Sequence, residues 1–350
     1  MRVLVTLGYF DDVGDGAIAE VDLAAGTWRV LLRHVPPEPL RVAAKGFTGA
    51  CWSGTPGQSP LLVCGHTALF HVSADLQRVE QTWHQPCMND LHHVAVHEGR
   101  VHVVNTGLEA VDVFSQDGRF LGSHALHPGW VSAARLRGEP FARASLAAAR
   151  AAAWPAALPA EGGSEGPSAY YDAAPDTPFS QRKVRDLLHL NHLSFVGGQA
   201  LATCMLERAV YDLTRMAPVI EDLPGAPHDG VLDGNLFWLT CSNGVLCGYA
   251  VERGQVTARC VRRIDLFETT GRSGWCRGLL VTPGHFIVGL SEIRRMPRVR
   301  WCDRRFTDTE TSILCVARET GALVGRVDLS DPQRQSKVFS ILPCGSSAEG

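Results

Sequence analysis

Short apolar segments recur along this chain and are separated by turns rich in glycine, proline, asparagine and aspartate. Within many of them apolar and polar positions alternate, and a period of two residues is typical of β-strands with one buried face. Residues 1–33 hold three strand candidates, each later group holds about four, and 337–342 hold one more. The later groups occupy residues 47–84, 91–123, 190–213, 230–267 and 278–329. The pattern predicts an all-β protein built from repeated four-stranded units.

Five full groups, a three-stranded N-terminal group and a lone C-terminal strand add up to six units. A β-propeller closes its ring in this way, because the last strand joins the first blade. We therefore predict a single β-propeller domain over residues 1–350, with six four-stranded blades closed by the C-terminal strand; five or seven blades are the alternatives. Residues 131–178 break the pattern and include a helix-favouring alanine-arginine stretch. They predict a partly helical insertion between two blades, either a lid or a surface loop.

Composition narrows the class of function. The 350 residues are 45% hydrophobic and 20% charged, with a formal net charge of −3, which gives no electrostatic reason to expect nucleic acid or an anionic membrane as partner. No window approaches a membrane span, and the N-terminus reads as a strand and not as a signal peptide. The eleven cysteines are odd in number and irregularly spaced, which favours reduced core residues. We expect a cytoplasmic protein with a small-molecule substrate; the oligomeric state is open.

Three histidines occupy similar places in three of the repeated units. His93, His192 and His228 each lie six residues before a turn glycine, at the start of a short apolar strand. If the first strand of each blade lines the channel, their imidazoles converge on the axis. Three histidines with an open position suit a catalytic divalent transition metal, with iron or copper favoured and zinc or manganese as alternatives. The competing interpretation is hydrogen-bonded histidines that pack the channel.

Other polar residues lie beside these histidines in the sequence. Arg277 holds a similar place in the last unit and predicts a clamp for a carboxylate or phosphate, or a structural salt bridge. Asp90 and Asp229 are candidates to orient a histidine or to act as general base, and both could instead cap turns. His92, His189 and Asn191 are possible further members of the site.

Several strings of this sequence resemble a bacterial family of uncharacterised β-propeller proteins. The strings are Asp90-Leu91-His92, His189-Leu190-Asn191, Pro227-His228, Arg277-Gly278-Leu279 and the segment 288–294. The resemblance implies the propeller fold and no particular activity. This chain departs from the family pattern at His192, where the family has glycine, and at His93, which lies outside the pattern. If the family positions matter instead, the site comprises His92, His189, Asn191, His228 and Arg277.

Three function hypotheses follow. The first is a metal-dependent enzyme acting on a small anionic or aromatic molecule, preferably a non-heme oxidoreductase or oxygenase. The second is a lyase or cyclase that uses a channel histidine as base and Arg277 as clamp, with or without metal. The third is a non-catalytic binding scaffold. The sequence contains no Walker loop, dinucleotide fingerprint or Gly-x-Ser-x-Gly elbow, which disfavours those enzyme classes.

Overall fold

The computed structural model of the protein describes residues 1–125, 188–215, 217–293, 309–331 and 333–345. These residues form six antiparallel sheets of four strands each, arranged as the blades of a six-bladed β-propeller. The predicted fold class and blade number are confirmed. The predicted insertion, residues 131–178, lies outside the described residues.

The strands of blades 1 to 3 follow one another from the propeller axis outwards. Blade 1 consists of β24 (Ser336–Pro343), β1 (Arg2–Tyr9), β2 (Gly16–Asp22) and β3 (Thr27–His34). Blade 2 consists of β4 (Ala50–Trp52), β5 (Leu61–Cys64), β6 (Leu69–Val72) and β7 (Val79–Trp83). Blade 3 consists of β8 (Leu91–His97), β9 (Arg100–Asn105), β10 (Ala110–Ser115) and β11 (Phe120–Ala125).

Blades 4 to 6 continue the ring in chain order. Blade 4 consists of β12 (Leu190–Val196), β13 (Gln199–Cys204), β14 (Ala209–Asp212) and β15 (Ala217–Ile220). Blade 5 consists of β16 (Val231–Asp233), β17 (Leu236–Thr240), β18 (Val245–Glu252) and β19 (Gln255–Asp265). Blade 6 consists of β20 (Trp275–Val281), β21 (His285–Ser291), β22 (Ser312–Ala317) and β23 (Leu323–Asp328).

The C-terminal strand closes the ring, as the strand count predicts. β24 pairs antiparallel with β1, with Leu4 opposite Leu342 and Leu7 opposite Val338. Blade 1 is therefore assembled from both ends of the described chain. In the described ranges helical structure is short, with α1 (Leu266–Thr270) and 3₁₀ turns at Glu38–Leu40 and Thr106–Leu108. In the part of the chain that the structure describes, no helix has the length and apolar character needed to cross a membrane.

The hydrophobic cores lie between neighbouring blades. Trp238 of blade 5 is completely buried and packs edge-on against Phe286 of blade 6, with ring centroids 4.6 Å apart. Val338 of blade 1 shares a core with Ile287 of blade 6 in the same way. Full burial of a valine, isoleucine or phenylalanine side chain stabilises the folded state by roughly 1.5–3 kcal/mol. Packing of one blade against the next therefore holds the ring together and fixes the position of the innermost strands.

A polar contact also crosses every seam of the ring near the axis. The contacts are Thr6 Oγ1 to Thr48 O (2.6 Å), Thr48 Oγ1 to Leu91 O (2.7 Å), Thr106 Oγ1 to Leu190 O (2.5 Å), Asn191 Nδ2 to Pro227 O (2.9 Å), Gly278 N to Asp229 Oδ2 (2.8 Å) and Val338 N to Ser291 Oγ (2.9 Å). Each joins the inner part of one blade to the next. They hold the starts of the innermost strands in fixed relative positions, and it is there that the candidate site lies.

Backbone irregularities recur at the start of the innermost strands. The pairing register shifts between Leu91 and His93, and again between Leu190 and His192. Such a bulge inserts one residue and re-aims the side chains beside it. Asp90 and His189, each two residues ahead of the bulged residue, have φ angles of 53° and 52°. Residues other than glycine rarely adopt this left-handed conformation, which concentrates at functional sites.

The turns of three inner hairpins use glycine in different places. The hairpins close at the residue pairs His97–Arg100, Val196–Gln199 and Asp233–Leu236. Gly99 and Gly198 are therefore second in their two-residue turns, whereas Gly234 is first. Gly234 has a φ of 58°, as the first residue of a type II′ turn requires. Distance from a turn glycine thus does not define the same strand position in all three blades.

The predicted common register of the three histidines is consequently wrong in blade 5. Counted back from the closing pair, His93 and His192 share their position with Asp229 and not with a third histidine. The position one residue earlier is held by His92, Asn191 and His228. Because side chains alternate between faces, a shift of one residue changes which neighbours a side chain meets. His228 is thereby grouped with the polar positions of the family pattern.

Candidate active site

Polar side chains from several blades meet around Phe339 of β24 at the propeller axis. The rings of His92 and His228 lie 6.2 Å and 6.3 Å from the Phe339 ring, measured between centroids. The ring of His189 lies 4.8 Å from that of His92. Arg277 Cζ lies 4.5 Å from the Phe339 centroid. The structure therefore brings together His92, His189, His228 and Arg277, four of the five residues that the family resemblance indicates.

The guanidinium of Arg277 is buried at this site between aromatic rings. Its side chain comes from β20 and is only 3% exposed. Cζ lies 3.8 Å from the Trp275 ring centroid, in addition to its contact with Phe339. Stacking against ring faces fixes the plane of a guanidinium and leaves its N–H groups directed sideways along that plane. This geometry suits recognition of a planar carboxylate or a phosphate at the axis.

Asp229 is held rigidly next to His228. The residue is 5% exposed; Oδ2 accepts hydrogen bonds from Gly278 N (2.8 Å) and from Thr240 Oγ1, and Oδ1 lies 3.3 Å from His228 Nδ1. Burial opposes ionisation, but His228 and these hydrogen bonds outweigh it and lower the pKa of Asp229. The carboxylate is therefore charged at neutral pH and fixes the imidazole of His228.

The hydrogen bond to Asp229 also assigns the tautomer of His228. A carboxylate accepts hydrogen bonds only, so Nδ1 carries the proton and Nε2 carries the lone pair. Burial lowers the pKa of His228, and the opposing effect of Asp229 does not restore it. His228 is therefore a neutral imidazole near neutral pH, with a basic nitrogen and a carboxylate placed to stabilise the imidazolium that forms when it accepts a proton.

His92 has the same tautomer for a different reason. Its Nδ1 lies 2.8 Å from the backbone oxygen of Asp90, which can only accept, and 3.0 Å from Thr106 Oγ1. The Thr106 hydroxyl donates its own proton to Leu190 O. Nδ1 of His92 is therefore the donor to both, and Nε2 has the lone pair. Burial lowers the pKa of His92 to about 3, so that it too is neutral.

The carboxylate of Asp90 has other partners. Oδ1 lies 2.8 Å from Lys45 Nζ and 3.1 Å from His66 Nδ1. Burial opposes its ionisation, but Lys45, His92 and His66 together hold the pKa of Asp90 well below its usual range. The predicted orientation of a channel histidine by Asp90 thus occurs through its backbone oxygen for His92, while its carboxylate contacts His66. Its predicted role as a general base stays a prediction.

His93 and His192, two of the three histidines predicted to converge, lie in direct contact. Their ring centroids are 3.6 Å apart with an angle of 31° between the planes. His93 Nδ1 accepts a hydrogen bond from Leu193 N (3.4 Å), which leaves the proton of the neutral ring on Nε2. Burial and the neighbouring His192 and His228 lower the pKa of His93 well below its ordinary value, and burial lowers that of His192 to about 4.

This arrangement of His93, His192 and His228 does not fit a shared metal ion as it stands. Two imidazoles bound through nitrogen to one tetrahedral ion have ring centroids about 5 Å apart, from metal–nitrogen distances near 2 Å. The observed 3.6 Å is shorter, and the hydrogen bonding of His93 leaves neither ring nitrogen with a free lone pair. Among the described residues no group of three or more histidine, cysteine, aspartate or glutamate side chains is placed to hold a metal. The metal site therefore stays a prediction.

Sequence reasoning missed Lys337 on β24, two residues before Phe339. Its amine interacts electrostatically with Lys45, Arg277 and Asp90, and we call these residues, together with Asp229 and the channel histidines, the axial cluster. Lys337 is 4% exposed, and its Nζ donates a hydrogen bond to Ala44 O (2.6 Å). A signal for it existed in the composition. Of the 33 lysine and arginine residues only three are lysine, and two of those, Lys45 and Lys337, lie in this cluster. The histidine candidates were identified by their distance from a hairpin turn, and the lone C-terminal strand that carries Lys337 has no such turn after it.

Comparisons with known proteins support the fold and leave the activity open. No family model and no curated protein sequence matches the chain, so the family named above remains a resemblance. A protein of unknown function from Bacteroides caccae matches with a TM-score of 0.56 and 11% identity over 98% of this chain and 99% of that one. A chain of the nidogen/laminin complex matches with a TM-score of 0.53 and 10% identity over 97% of each. At such identities the likeness shows the fold alone.

Proposed function

We propose that this protein is an enzyme that binds a small anionic molecule at the propeller axis and removes a proton from it. Arg277 holds a carboxylate or phosphate of the substrate, and His228 is the general base. The observation that carries this proposal is the buried pair of Asp229 and His228, 3.3 Å apart, in the cluster that contains Arg277. Proton removal of this kind begins an elimination or a ring closure, so a lyase or cyclase is the reaction class.

The chemistry of each group supports its role. A neutral His228 with its lone pair on Nε2 can accept a proton near neutral pH, and Asp229 then stabilises the imidazolium. Arg277 keeps its charge under all ordinary conditions and can stabilise negative charge that develops on the substrate. The ring of Phe339 supplies an apolar surface between them. These residues need no metal for the step, although metal assistance belongs to the hypothesis drawn from the sequence.

The proposal predicts exchange of substrate protons with solvent. The purified protein would be incubated in heavy water with malonate, pyruvate, oxaloacetate and phosphoenolpyruvate, and carbon-bound protons followed by NMR. Loss of general-base catalysis in His228→Gln should slow exchange by about a hundredfold or more. In Arg277→Met, loss of charged hydrogen bonds should weaken binding by about tenfold to a hundredfold, measured by calorimetry.

Arg318→Met is the matched control. Arg318 also lies over two aromatic rings, those of Trp238 and Phe286, at 5.8 Å and 5.9 Å, but its guanidinium pairs with Asp233 at the hairpin end of β16 and contacts none of the residues around Phe339. Its loss should leave binding and exchange unchanged. Equal binding by wild type and Arg277→Met, or exchange that persists in His228→Gln, would overturn the proposal. Binding of anions without any exchange would favour the scaffold hypothesis instead.

A further inference from the structure

Lys337 is a buried amine without a carboxylate partner among the described residues. Its only hydrogen bond there is the one to Ala44 O, and Nζ also lies 3.9 Å from the centroid of the Phe10 ring. The nearby carboxylates are engaged elsewhere, Asp90 with Lys45 and Asp11 with Arg334. An ammonium group is costly to bury without an anion, whereas a neutral amine needs only the hydrogen bond that it has.

The electrostatic surroundings of Lys337 also favour the neutral amine. Burial, together with the positive charges of Lys45 and Arg277, lowers the pKa of Lys337 well below its ordinary value. A lysine that is neutral at physiological pH carries a nucleophilic lone pair, and a second cation nearby is one recognised way to produce it. Arginine cannot do this, because its guanidinium does not lose its proton in proteins. The composition agrees: this chain uses arginine for 30 of its 33 basic residues but has lysine at position 337.

Lys337 shares a face of β24 with the axial site. Val338 is completely buried in the core between blades 6 and 1. Lys337 therefore projects to the opposite side of the strand, because successive side chains alternate. Ile341 lies in the same core as Val338, so the register shift between β24 and β1 leaves Phe339 outside that core as well. Arg277 stacks on that same Phe339. Lys337 is thus two residues along β24 from the ring on which Arg277 stacks, and the positive charge of Arg277 acts on its amine.

We propose that Lys337 is an amine nucleophile that forms an imine with a small aldehyde or ketone whose anionic group is held by Arg277. The Nζ lone pair attacks the carbonyl carbon, a carbon–nitrogen bond forms, and the carbonyl oxygen takes up a proton to give a carbinolamine. Loss of that hydroxyl and of an amine proton as water yields the imine. An imine withdraws electrons from the adjacent carbon and so makes its protons easier to remove. The substrate class is an oxo acid, and this part rests on the proposed function.

Reductive trapping tests the inference. The full chain would be incubated with glyoxylate and sodium cyanoborohydride, which reduces an imine to a stable secondary amine, and the adduct located by peptide mass spectrometry. The only primary amines are those of Lys45, Lys183, Lys337 and the N-terminus. Lys337 should be the dominant labelled site in wild type and in Lys45→Arg, which keeps the ion pair with Asp90. Lys337→Met, a neutral side chain of similar length that should fold, should lose that label.

Two further experiments distinguish failure of the Lys337 inference from failure of the proposed function. Acetaldehyde has the carbonyl but no anionic group. Arg277→Met should lower labelling by glyoxylate and leave labelling by acetaldehyde unchanged. Label on Lys337 that is insensitive to Arg277→Met would keep the nucleophile and overturn the anion clamp. Glyoxylate that binds, as shown by calorimetry, but leaves Lys337 unlabelled or no more labelled than the other amines would overturn the nucleophile.

Discussion

The buried neutral histidines at the axis should make the fold labile to mild acid. A histidine that is protonated in the unfolded chain but neutral in the folded protein lets the unfolded state bind more protons, so the free energy of unfolding falls as pH falls. His92 and His192, with pKa values lowered to about 3 and about 4 by burial, are the clearest cases. The window lies between those values and the ordinary histidine pKa of about 6.5.

The magnitude follows from linkage. Between about pH 7.5 and about pH 5.5, an unfolded histidine gains nearly one proton while the folded one gains almost none, which costs roughly 1 kcal/mol for each histidine. His92 and His192 together therefore contribute a loss of roughly 2–3 kcal/mol, and His93 acts in the same direction. Asp112 opposes this, because burial raises its pKa to about 6 and folding then favours its protonated form in acid, by roughly 1 kcal/mol.

A variant isolates one histidine from these other effects. Urea unfolding of wild type and His192→Gln would be measured across that pH range, and the quantity of interest is the change in unfolding free energy with pH. The variant should lose roughly 1 kcal/mol less than wild type between the two ends of the range. Asn191→Ser, a channel substitution without a titratable group, should lower stability but leave the pH dependence as in wild type. Equal pH dependence in His192→Gln and wild type would refute the reasoning.

Three further predictions concern the same region. In wild type a neutral Lys337 binds a proton only when the chain unfolds, so the free energy of unfolding changes with pH below the ordinary lysine pKa. Lys337→Met removes that proton and should flatten the pH dependence of urea unfolding by up to about 1 kcal/mol per pH unit. A variant with the wild-type slope would contradict a neutral Lys337. Thr106→Val should destabilise by about 1–3 kcal/mol in the same assay by leaving Leu190 O unpaired, while Thr106→Ser should not. Elemental analysis of wild type and His228→Ala should find no stoichiometric metal in either; near-stoichiometric iron or copper that disappears in the variant would restore the metal hypothesis.

The fold could be predicted because it depends on the alternation of apolar positions and on the number of strands, and neither requires the exact strand ends. Alternating apolar segments predict strands wherever their exact ends lie, and a count of three strands at one end and one at the other requires closure between the termini. The pairing of Leu7 with Val338 realises that closure. No side-chain contact has to be known for this reasoning, which is why it succeeded over the whole described chain.

The site could be predicted only in part, because it depends on single-residue offsets. A glycine in the first turn position of one hairpin moved His228 out of the register of His93 and His192. The left-handed residue His189 and the bulge after Leu190 are invisible to a rule that assumes regular alternation. The family strings instead group His92, His189, His228 and Arg277, which the structure places around Phe339.

The chemistry of the axial cluster argues for a role beyond packing. A buried ion pair can often be replaced by well-packed apolar side chains without loss of stability, so stability alone does not explain a cluster of buried charged groups. In this cluster Asp90 and Asp229 are held by ion pairs and hydrogen bonds, and His92 and His228 are neutral with the lone pair on Nε2. Burial and neighbouring cations lower the pKa of Lys337, in a chain that otherwise prefers arginine. We propose that such a set supplies proton acceptors and a nucleophile near one fixed cation. It suits stepwise acid–base and imine chemistry on an anionic carbonyl compound better than coordination of a metal.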